Sequence, residues 1–174
     1  MKPAKLFISA IAVLLLLFVG IGLALPGEWQ ARRTIEVSAA PEVVWPYVNT
    51  LAGWEAWTPW DAVADTVGGP PEGVGATRRW DDPQWGQGEW VLTESEPVRR
   101  VAYEVRVEEG ALVTRGEIVL EAVAGGTVVS WSEEGDFGWN PFLAYMALGM
   151  DRMQGAEMEK NLAALEGVLV GRAP

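Results

Sequence analysis

The stretch RVAYEVRVEEGALVTRGEIVLEAVAGGTVVSWSE, residues 100–133, decides the fold of this chain. Apolar and polar side chains alternate from Arg99 to Glu108, which is the period of a half-buried β-strand. The pattern resumes from Leu112 to Ala122, after a turn at Glu109-Gly110. A second tight turn at Gly125-Gly126 then leads into Thr127 to Glu133. Successive short turns predict an antiparallel meander with one packed face and one solvated face.

Three more strands are predicted upstream of this stretch. They cover Arg32 to Val37, Val74 to Trp80 and Glu89 to Ser95, because each segment carries apolar residues at period two. The segment from Val67 to Gly75 is rich in glycine and proline, so we interpret it as a loop.

Helices are predicted on both sides of the strands. Pro41 suits the first turn of one helix, and a second short helix covers Leu51 to Trp57 and ends before Pro59. A long helix runs from about Pro141 to Val170, with Asn140 as its cap. The order of elements therefore predicts an α+β domain without internal repeats.

The long C-terminal helix carries one broad apolar face. At about 100° per residue, the following side chains share that face: Leu143, Met146, Ala147, Met150, Met153, Met158, Leu162, Leu165, Val168 and Leu169. The sheet must bury its apolar side against some other element, and this helix is the only one that is large enough. A curved sheet wrapped around a helix leaves a cavity unless side chains fill it.

The N-terminal segment is a candidate membrane anchor. Residues 6–25 carry no charge, and twenty residues at helical rise span about 30 Å, the thickness of the hydrocarbon core. Lys2 and Lys5 precede the run, which predicts a cytoplasmic N-terminus and a domain on the non-cytoplasmic side. The alternative is a signal peptide cleaved after Gly22-Leu23-Ala24, although this run is longer than the usual apolar region. We therefore divide the chain into residues 1–26, the anchor, and 27–174, the soluble domain.

Composition excludes several classes of function. The chain has no cysteine and no histidine, which removes disulfides, thiolate sites and the commonest general base and metal ligand. Without Lys2 and Lys5, the chain has 11 basic and 24 acidic residues. The net negative charge of the domain therefore repels nucleic acid and anionic lipid headgroups. No cofactor and no metal site is predicted, and the oligomeric state stays open. Ten tryptophans imply a large aromatic core, an aromatic-lined cavity, or both.

Candidate ligand-binding residues lie first on the long helix. Gln154, Glu157 and Asn161 fall within its apolar sector, where unpaired polar groups are costly, so we expect them at a cavity. Met150 and Met153 in the same sector form an adaptable wall in one interpretation. Plain core filling is the alternative for the methionines, and pairing with the sheet is the alternative for the polar residues.

Aromatic residues supply the other candidates. Trp57 and Trp60 follow Trp54 at intervals of three, and they either wall the mouth of a cavity or plug one end of the core. Tyr103 on the central strand is a further ligand-binding candidate. The acidic cluster Glu133-Glu134 with Asp136 lacks the spacing of a calcium loop, so we interpret it as a solvated turn.

Several motifs occur in an order that resembles one known superfamily. They are the tryptophan run from Trp54 to Trp60, Gly73-Val74-Gly75-Ala76, Thr93-Glu94-Ser95-Glu96-Pro97 with Arg100-Val101-Ala102-Tyr103, Gly125-Gly126-Thr127 through Trp131, and Met150-Asp151-Arg152-Met153 with Glu159-Lys160. Over most of residues 30–170 the chain is similar to the SRPBCC superfamily, which includes START-like and polyketide cyclase/dehydrase proteins. The resemblance implies a helix-grip fold, in which a curved antiparallel sheet of six or seven strands wraps around the long C-terminal helix. It also implies a cavity for a hydrophobic ligand.

Function must be argued from the site, because this fold hosts carriers as well as enzymes. The leading hypothesis is a membrane-anchored domain that binds a hydrophobic or amphipathic small molecule or lipid. The first alternative is a cyclase- or dehydratase-like enzyme that relies on carboxylates such as Glu157 or Asp151, with Tyr103 or arginine residues as proton or oxyanion partners. The second is a protein-interaction module of the cell envelope. The sequence shows no nucleophile–base constellation, so we assign no catalytic residue.

Overall fold

The computed structural model describes residues 3–62, 65–83 and 86–171, so Lys2 of the predicted topology signal lies outside it. Within these residues the helices and strands follow one another as α1 (Pro3–Ala24), β1 (Glu28–Val37), α2 (Pro41–Asn49), α3 (Leu51–Glu55), β2 (Asp65–Gly68), β3 (Thr77–Asp82), β4 (Gly86–Glu96), β5 (Arg100–Val107), β6 (Leu112–Val123), β7 (Gly126–Asp136) and α4 (Leu143–Val170). Short 3₁₀ helices cover Pro59–Ala62 and Glu108–Gly110.

The strands form one antiparallel sheet in the order β1-β7-β6-β5-β4-β3-β2. Five of its six pairings join consecutive strands, so the predicted meander is confirmed, and β1 adds to it by pairing with β7. The register between β4 and β5 shifts between Leu92 and Glu94, and such bulges bend the strand that carries them. The α+β helix-grip fold, with seven strands and an apolar N-terminal helix, is therefore confirmed.

Some predicted boundaries are wrong. The segment from Val67 to Gly75, interpreted as a loop, begins inside β2, and β3 starts at Thr77 rather than Val74. β2 escaped detection because it is a four-residue edge strand without a fully buried side chain, so it shows no apolar alternation. The second short helix ends at Glu55, two residues earlier than expected.

Helix α4 closes the core against the concave face of the sheet. Its most deeply buried side chains, Met158, Leu162 and Leu165, join the aromatic and aliphatic side chains of the strands. Arg33 on β1 clamps the outside of the helix, since its guanidinium lies 2.9 Å from the Asp151 carboxylate and also binds Glu159. The helix begins at Leu143, two residues later than predicted, so Phe142 rather than Asn140 occupies the cap position. Asn140 Oδ1 still accepts hydrogen bonds from the backbone N–H groups of Phe142 and Leu143.

Two aromatic side chains lie flat on the sheet because a glycine stands opposite each of them. Tyr103 pairs with Gly116 on the neighbouring strand, and Trp80 pairs with Gly88. Each ring lies over its glycine, in the space that a side chain at that position would occupy. A Cβ atom at either glycine would overlap the ring opposite it. Rings that lie along the sheet leave room between it and α4, where the cavity described next is found.

Candidate functional site

A cavity of about 600 Å³ lies between the concave face of the sheet and the middle of α4. Strands β3, β4, β5 and β7 form its floor and back wall, the segment after α3 forms one side, and α4 forms the other. The residues that line it are Trp54, Thr58, Pro59, Trp60, Trp80, Trp90, Tyr103, Val105, Val107, Trp131, Glu133, Gln154, Glu157, Lys160 and Asn161.

Aromatic rings make most of the wall, and they hold one another in place. Trp54 is central: its ring centroid lies 5.2 Å from that of Tyr103, 5.4 Å from Trp90 and 5.9 Å from Trp131, each nearly edge-on. Edge-to-face pairs add stabilisation beyond the area that they bury. These mutual contacts hold the rings of the wall in place without help from a ligand.

Trp60 belongs to a second aromatic pair near the edge of the cavity. Its ring lies 5.2 Å from that of Trp80, and the Arg78 guanidinium sits 5.1 Å from its centroid. Arg78 is almost fully buried, and its charge is balanced by Glu55 and by Asp65, whose carboxylate lies 2.7 Å from Nε. Arg78 thus links α3 to β2, the two elements that flank the 3₁₀ helix carrying Trp60.

A buried carboxylate lies at the floor of the cavity. Glu133 on β7 is 5% exposed and accepts a hydrogen bond from the Tyr103 hydroxyl and another, at 2.5 Å, from Gln154 Nε2. The Trp131 indole N–H donates in turn to the Tyr103 oxygen at 2.7 Å. Each donor comes from a different element, so the fold itself brings together these four side chains.

The protonation of this network is set by burial. Loss of solvation raises the pKa of Glu133 above its ordinary value, while the hydrogen bonds from Tyr103 and Gln154 oppose that rise. Burial, together with the charge of Glu133, raises the pKa of Tyr103 well above its ordinary value, so this phenol stays protonated. The pair can hold a proton donor beside a proton acceptor, which are the groups that acid–base chemistry needs.

Polar residues of α4 line the open side of the cavity. Lys160 Nζ lies 3.2 Å from a Glu157 carboxylate oxygen, and both side chains are exposed. Asn161, one turn beyond Glu157, is buried at 8% exposure. The entrance is thus charged and wet, whereas the interior is aromatic.

Five of the eight predicted site residues line this cavity: Trp60, Tyr103, Gln154, Glu157 and Asn161. The structure does not bring Trp57, Met150 or Met153 to it. Trp57 lies behind the wall, where its indole donates to the Tyr47 carbonyl at 2.9 Å. Met153, expected on the packed face of α4, is 61% exposed, and Met150 is half-buried outside the cavity. The apolar sector of α4 is wider than the surface that the sheet covers.

Glu133 is the functional candidate that the sequence interpretation missed. The solvated turn assigned to Glu133, Glu134 and Asp136 is wrong for Glu133, because β7 continues through Asp136 and only Glu133 points inward. Its position was visible in principle, since Val129, Trp131 and Glu133 share one parity on the strand. Within the described residues no group of three or more acidic side chains could hold a metal ion.

A second depression, of about 470 Å³, lies on the opposite side of the sheet, next to the outer charged residues. Its guanidinium groups are already paired, and Arg100 alone contacts Glu94, Glu96 and Glu117. Paired charges beside water offer a ligand little gain, so the aromatic cavity is the better candidate site.

Comparison with known proteins identifies the family. The family described as polyketide cyclase / dehydrase and lipid transport matches residues 28–170. The chain belongs to this family. The match confirms the SRPBCC resemblance and spans every strand and α4. No curated protein matches the chain.

Solved structures with a similar fold extend the comparison. A protein from Thermobifida fusca superposes with a TM-score of 0.63 at 21% identity, over 80% of this chain and 92% of its own. CV1439 from Chromobacterium violaceum gives 0.59 at 18% identity, over 80% and 96%. The di-domain ARO/CYC StfQ from the steffimycin biosynthetic pathway gives 0.63 at 14% identity, over 83% of this chain and 51% of StfQ. At these low identities, the TM-scores establish a shared fold and nothing further.

Proposed function

We propose that the chain is a membrane-anchored protein that binds a hydrophobic or amphipathic small molecule in the cavity between the sheet and α4. The observation that carries this proposal is an aromatic wall around one buried carboxylate. Small-molecule pockets combine apolar surface with a few convergent polar groups, and their volumes run from about 300 to 1,000 Å³. An open cavity of this kind also favours binding over a protein-interaction module with a collapsed core.

The polar groups narrow the chemistry of the ligand. Tyr103 and Gln154 each occupy one acceptor site of Glu133, and a carboxylate offers about four, so a ligand hydroxyl or amine can donate to it. We therefore favour a largely apolar, ring-bearing ligand with at least one hydrogen-bond donor.

The apolar N-terminal helix supports the membrane part of the proposal. Phe7–Ala24 has a mean hydropathy of 2.8, and little of this window is buried by the rest of the chain. A signal sequence would share these properties, but this helix also contacts the folded domain. Gly22 is buried beneath Pro141, and cleavage after Ala24 would remove that contact. An anchor of this kind would hold the cavity beside a lipid-phase supply of ligand.

Orientation follows from the lysines that precede the helix, and it can be tested directly. Because the chain has no cysteine, Val123→Cys introduces a single thiol at the far end of the domain. We expect a membrane-impermeant maleimide to label it from the non-cytoplasmic side of intact cells. Labelling only after the cells are lysed would place the domain in the cytoplasm, and recovery of a chain that begins near Leu25 would show cleavage.

Binding is tested by filling the cavity. Val105 points into it from β5, and Val105→Trp should occupy the space that the ligand needs. We expect native mass spectrometry of detergent-extracted protein to show a co-purifying small molecule on the wild type and none on this variant. Arg106→Trp, on the opposite face of the same strand, is the matched control and should retain the molecule. Equal retention by all three proteins, or no small molecule on any of them, would contradict the proposal.

A second candidate function is acid–base catalysis on the bound molecule, and one observation favours it. Glu133, with a raised pKa, and the protonated Tyr103 meet at the floor of the cavity, and such perturbed pairs cluster at active sites. StfQ, named as an ARO/CYC, shares this fold. Glu133 would accept a proton from the substrate. Its protonation would release the Tyr103 hydroxyl, which donates to Glu133 in the structure, to donate a hydrogen bond to the developing oxyanion instead.

A further inference from the structure

The end of α1 is attached to the beginning of α4. The Tyr145 hydroxyl donates to the Phe18 carbonyl at 2.7 Å, and the two rings stack with their centroids 4.4 Å apart. Pro141 covers Gly22, where any side chain would clash. The backbone N–H of Phe137 also donates to the Gly27 carbonyl at 3.1 Å, so the linker after α1 is held as well.

These contacts fix the depth of the segment that opens α4. Phe18 lies six residues before the end of α1 at Ala24, which at helical rise is about 9 Å along the helix axis. Because Tyr145 contacts Phe18, it lies beside α1 and not beyond the helix end at Ala24. If α1 spans a membrane, as proposed above, the first turn of α4 must sit at the membrane–water interface rather than in bulk solvent.

The chemistry of this segment suits that depth. Residues 137–150 carry no charge, although charged residues make up 21% of the chain. Trp139 is 89% exposed, Phe142 62% and Met146 45%, and we call these three side chains the membrane-proximal patch. Exposed aromatic and aliphatic side chains are costly in water, whereas tryptophan and its neighbours are enriched at the headgroup level of membranes.

We propose that the membrane-proximal patch inserts into the headgroup region of the bilayer and seats the domain on the membrane surface, so that α4 rises from the lipid. This inference rests on the proposed membrane anchor. The attraction is apolar, because residues 27–174 carry 11 basic side chains against 24 acidic ones and their net negative charge repels anionic lipids. A bilayer of zwitterionic phosphatidylcholine is therefore sufficient.

The seating also links the membrane to the cavity. Met150 and Met153 continue the stripe of the patch along α4, at intervals of three and four residues, toward Glu157 at the cavity entrance. An apolar ligand that leaves the bilayer would thus meet an apolar path that ends at the cavity. Met150 and Met153 would then line this path, although neither of them lines the cavity.

The test uses the full chain in phosphatidylcholine vesicles and exploits its lack of cysteine. Single cysteines replace Trp139, Phe142, Leu16 in the middle of α1, and Val123 at the far end of the domain. Each is labelled with the same environment-sensitive nitrobenzoxadiazole dye. Quenching by lipids that carry a shallow nitroxide reports the bilayer interface, and quenching by iodide reports water.

We expect the labels at residues 139 and 142 to be quenched by shallow nitroxide lipids, protected from iodide and shifted to the blue. The label at residue 123 should behave in the opposite way. A residue-16 label in lipid together with residue-139 and residue-142 labels in water overturns the patch and leaves the anchor standing. A residue-16 label in water overturns both. Protection from iodide without lipid quenching shows that protein covers the patch, and it also overturns the proposal.

Discussion

Glu133→Gln is expected to weaken retention of the bound small molecule by about tenfold or more. The buried carboxylate is the strongest hydrogen-bond acceptor in the cavity, and a hydrogen bond to a charged group contributes about 1.5–3 kcal/mol. Glutamine has the same shape and keeps an acceptor for the Tyr103 hydroxyl. The Gln154 amide can rotate to accept from the new amide, so the network survives and only the charge is lost. Native mass spectrometry at increasing dilution of the wild type and the variant measures the change in affinity.

The same substitution changes how stability depends on pH. Because burial raises the pKa of Glu133 in the folded state, the folded protein holds this proton more tightly than the unfolded chain does. The stability that this group contributes is therefore fully present below its unfolded pKa, about 4.3. It is lost as the pH rises through the higher folded value. Glutamine does not titrate, so Glu133→Gln should not show this loss. We therefore expect the melting temperature of the variant to rise relative to that of the wild type as the pH increases across that window.

Glu134→Gln is the matched control, because the neighbouring side chain points to the solvent from the same strand. It should change neither ligand retention nor the shape of the stability–pH curve relative to the wild type. If Glu133→Gln and Glu134→Gln gave the same curve and the same retention, Glu133 would have no part in the site. The mass of the retained molecule separates the two candidate functions. A binding protein retains the same molecule in wild type and variant, whereas an enzyme whose acid–base group is lost retains unconverted substrate of a different mass.

The fold could be read from the sequence wherever one physical signal dominated. β5 alternates apolar and polar residues without interruption, and α4 carries an apolar face over 28 residues, so both were predicted within three residues of their ends. β2 gave no such signal, because its stability comes from pairing with β3 rather than from burial of its own side chains. Edge strands of this kind are specified by their neighbours.

The site was only partly predictable, because its residues lie far apart in the sequence and come together only in the folded domain. Gln154 and Asn161 were found because a polar residue on an apolar helix face needs a reason. Glu133 was missed because its acidic neighbours suggested a turn. Its burial depends on hydrogen bonds from Tyr103 and Gln154, two residues that are distant in sequence. Met153 was misplaced because periodicity gives the direction of a helix face and not the width of the surface that covers it.

Trp54→Ala is expected to be the most destabilising single substitution at the site. The Trp54 side chain is 4% exposed, touches four aromatic rings and donates its indole N–H to the buried Val48 carbonyl at 2.7 Å. Removing a buried tryptophan costs about 3–5 kcal/mol, a large share of the 5–15 kcal/mol that stabilises a typical domain. Chemical denaturation of the detergent-solubilised chain measures the loss. Trp139→Ala is the control, because that side chain is 89% exposed, and it should shift stability by no more than about 0.5 kcal/mol.

The vacated space offers a second measurement on the same variant. Apolar cavities created by truncation bind small apolar molecules that match the missing group, and any molecule that binds only the folded state raises its stability. We therefore expect added indole to restore part of the lost stability of Trp54→Ala, because four aromatic rings border the hole and the Val48 carbonyl remains as an acceptor. Trp139→Ala should not respond to indole. A loss well below 3 kcal/mol, with no response to indole, would mean that the aromatic wall collapses into the space and that the cavity is not a preformed rigid surface.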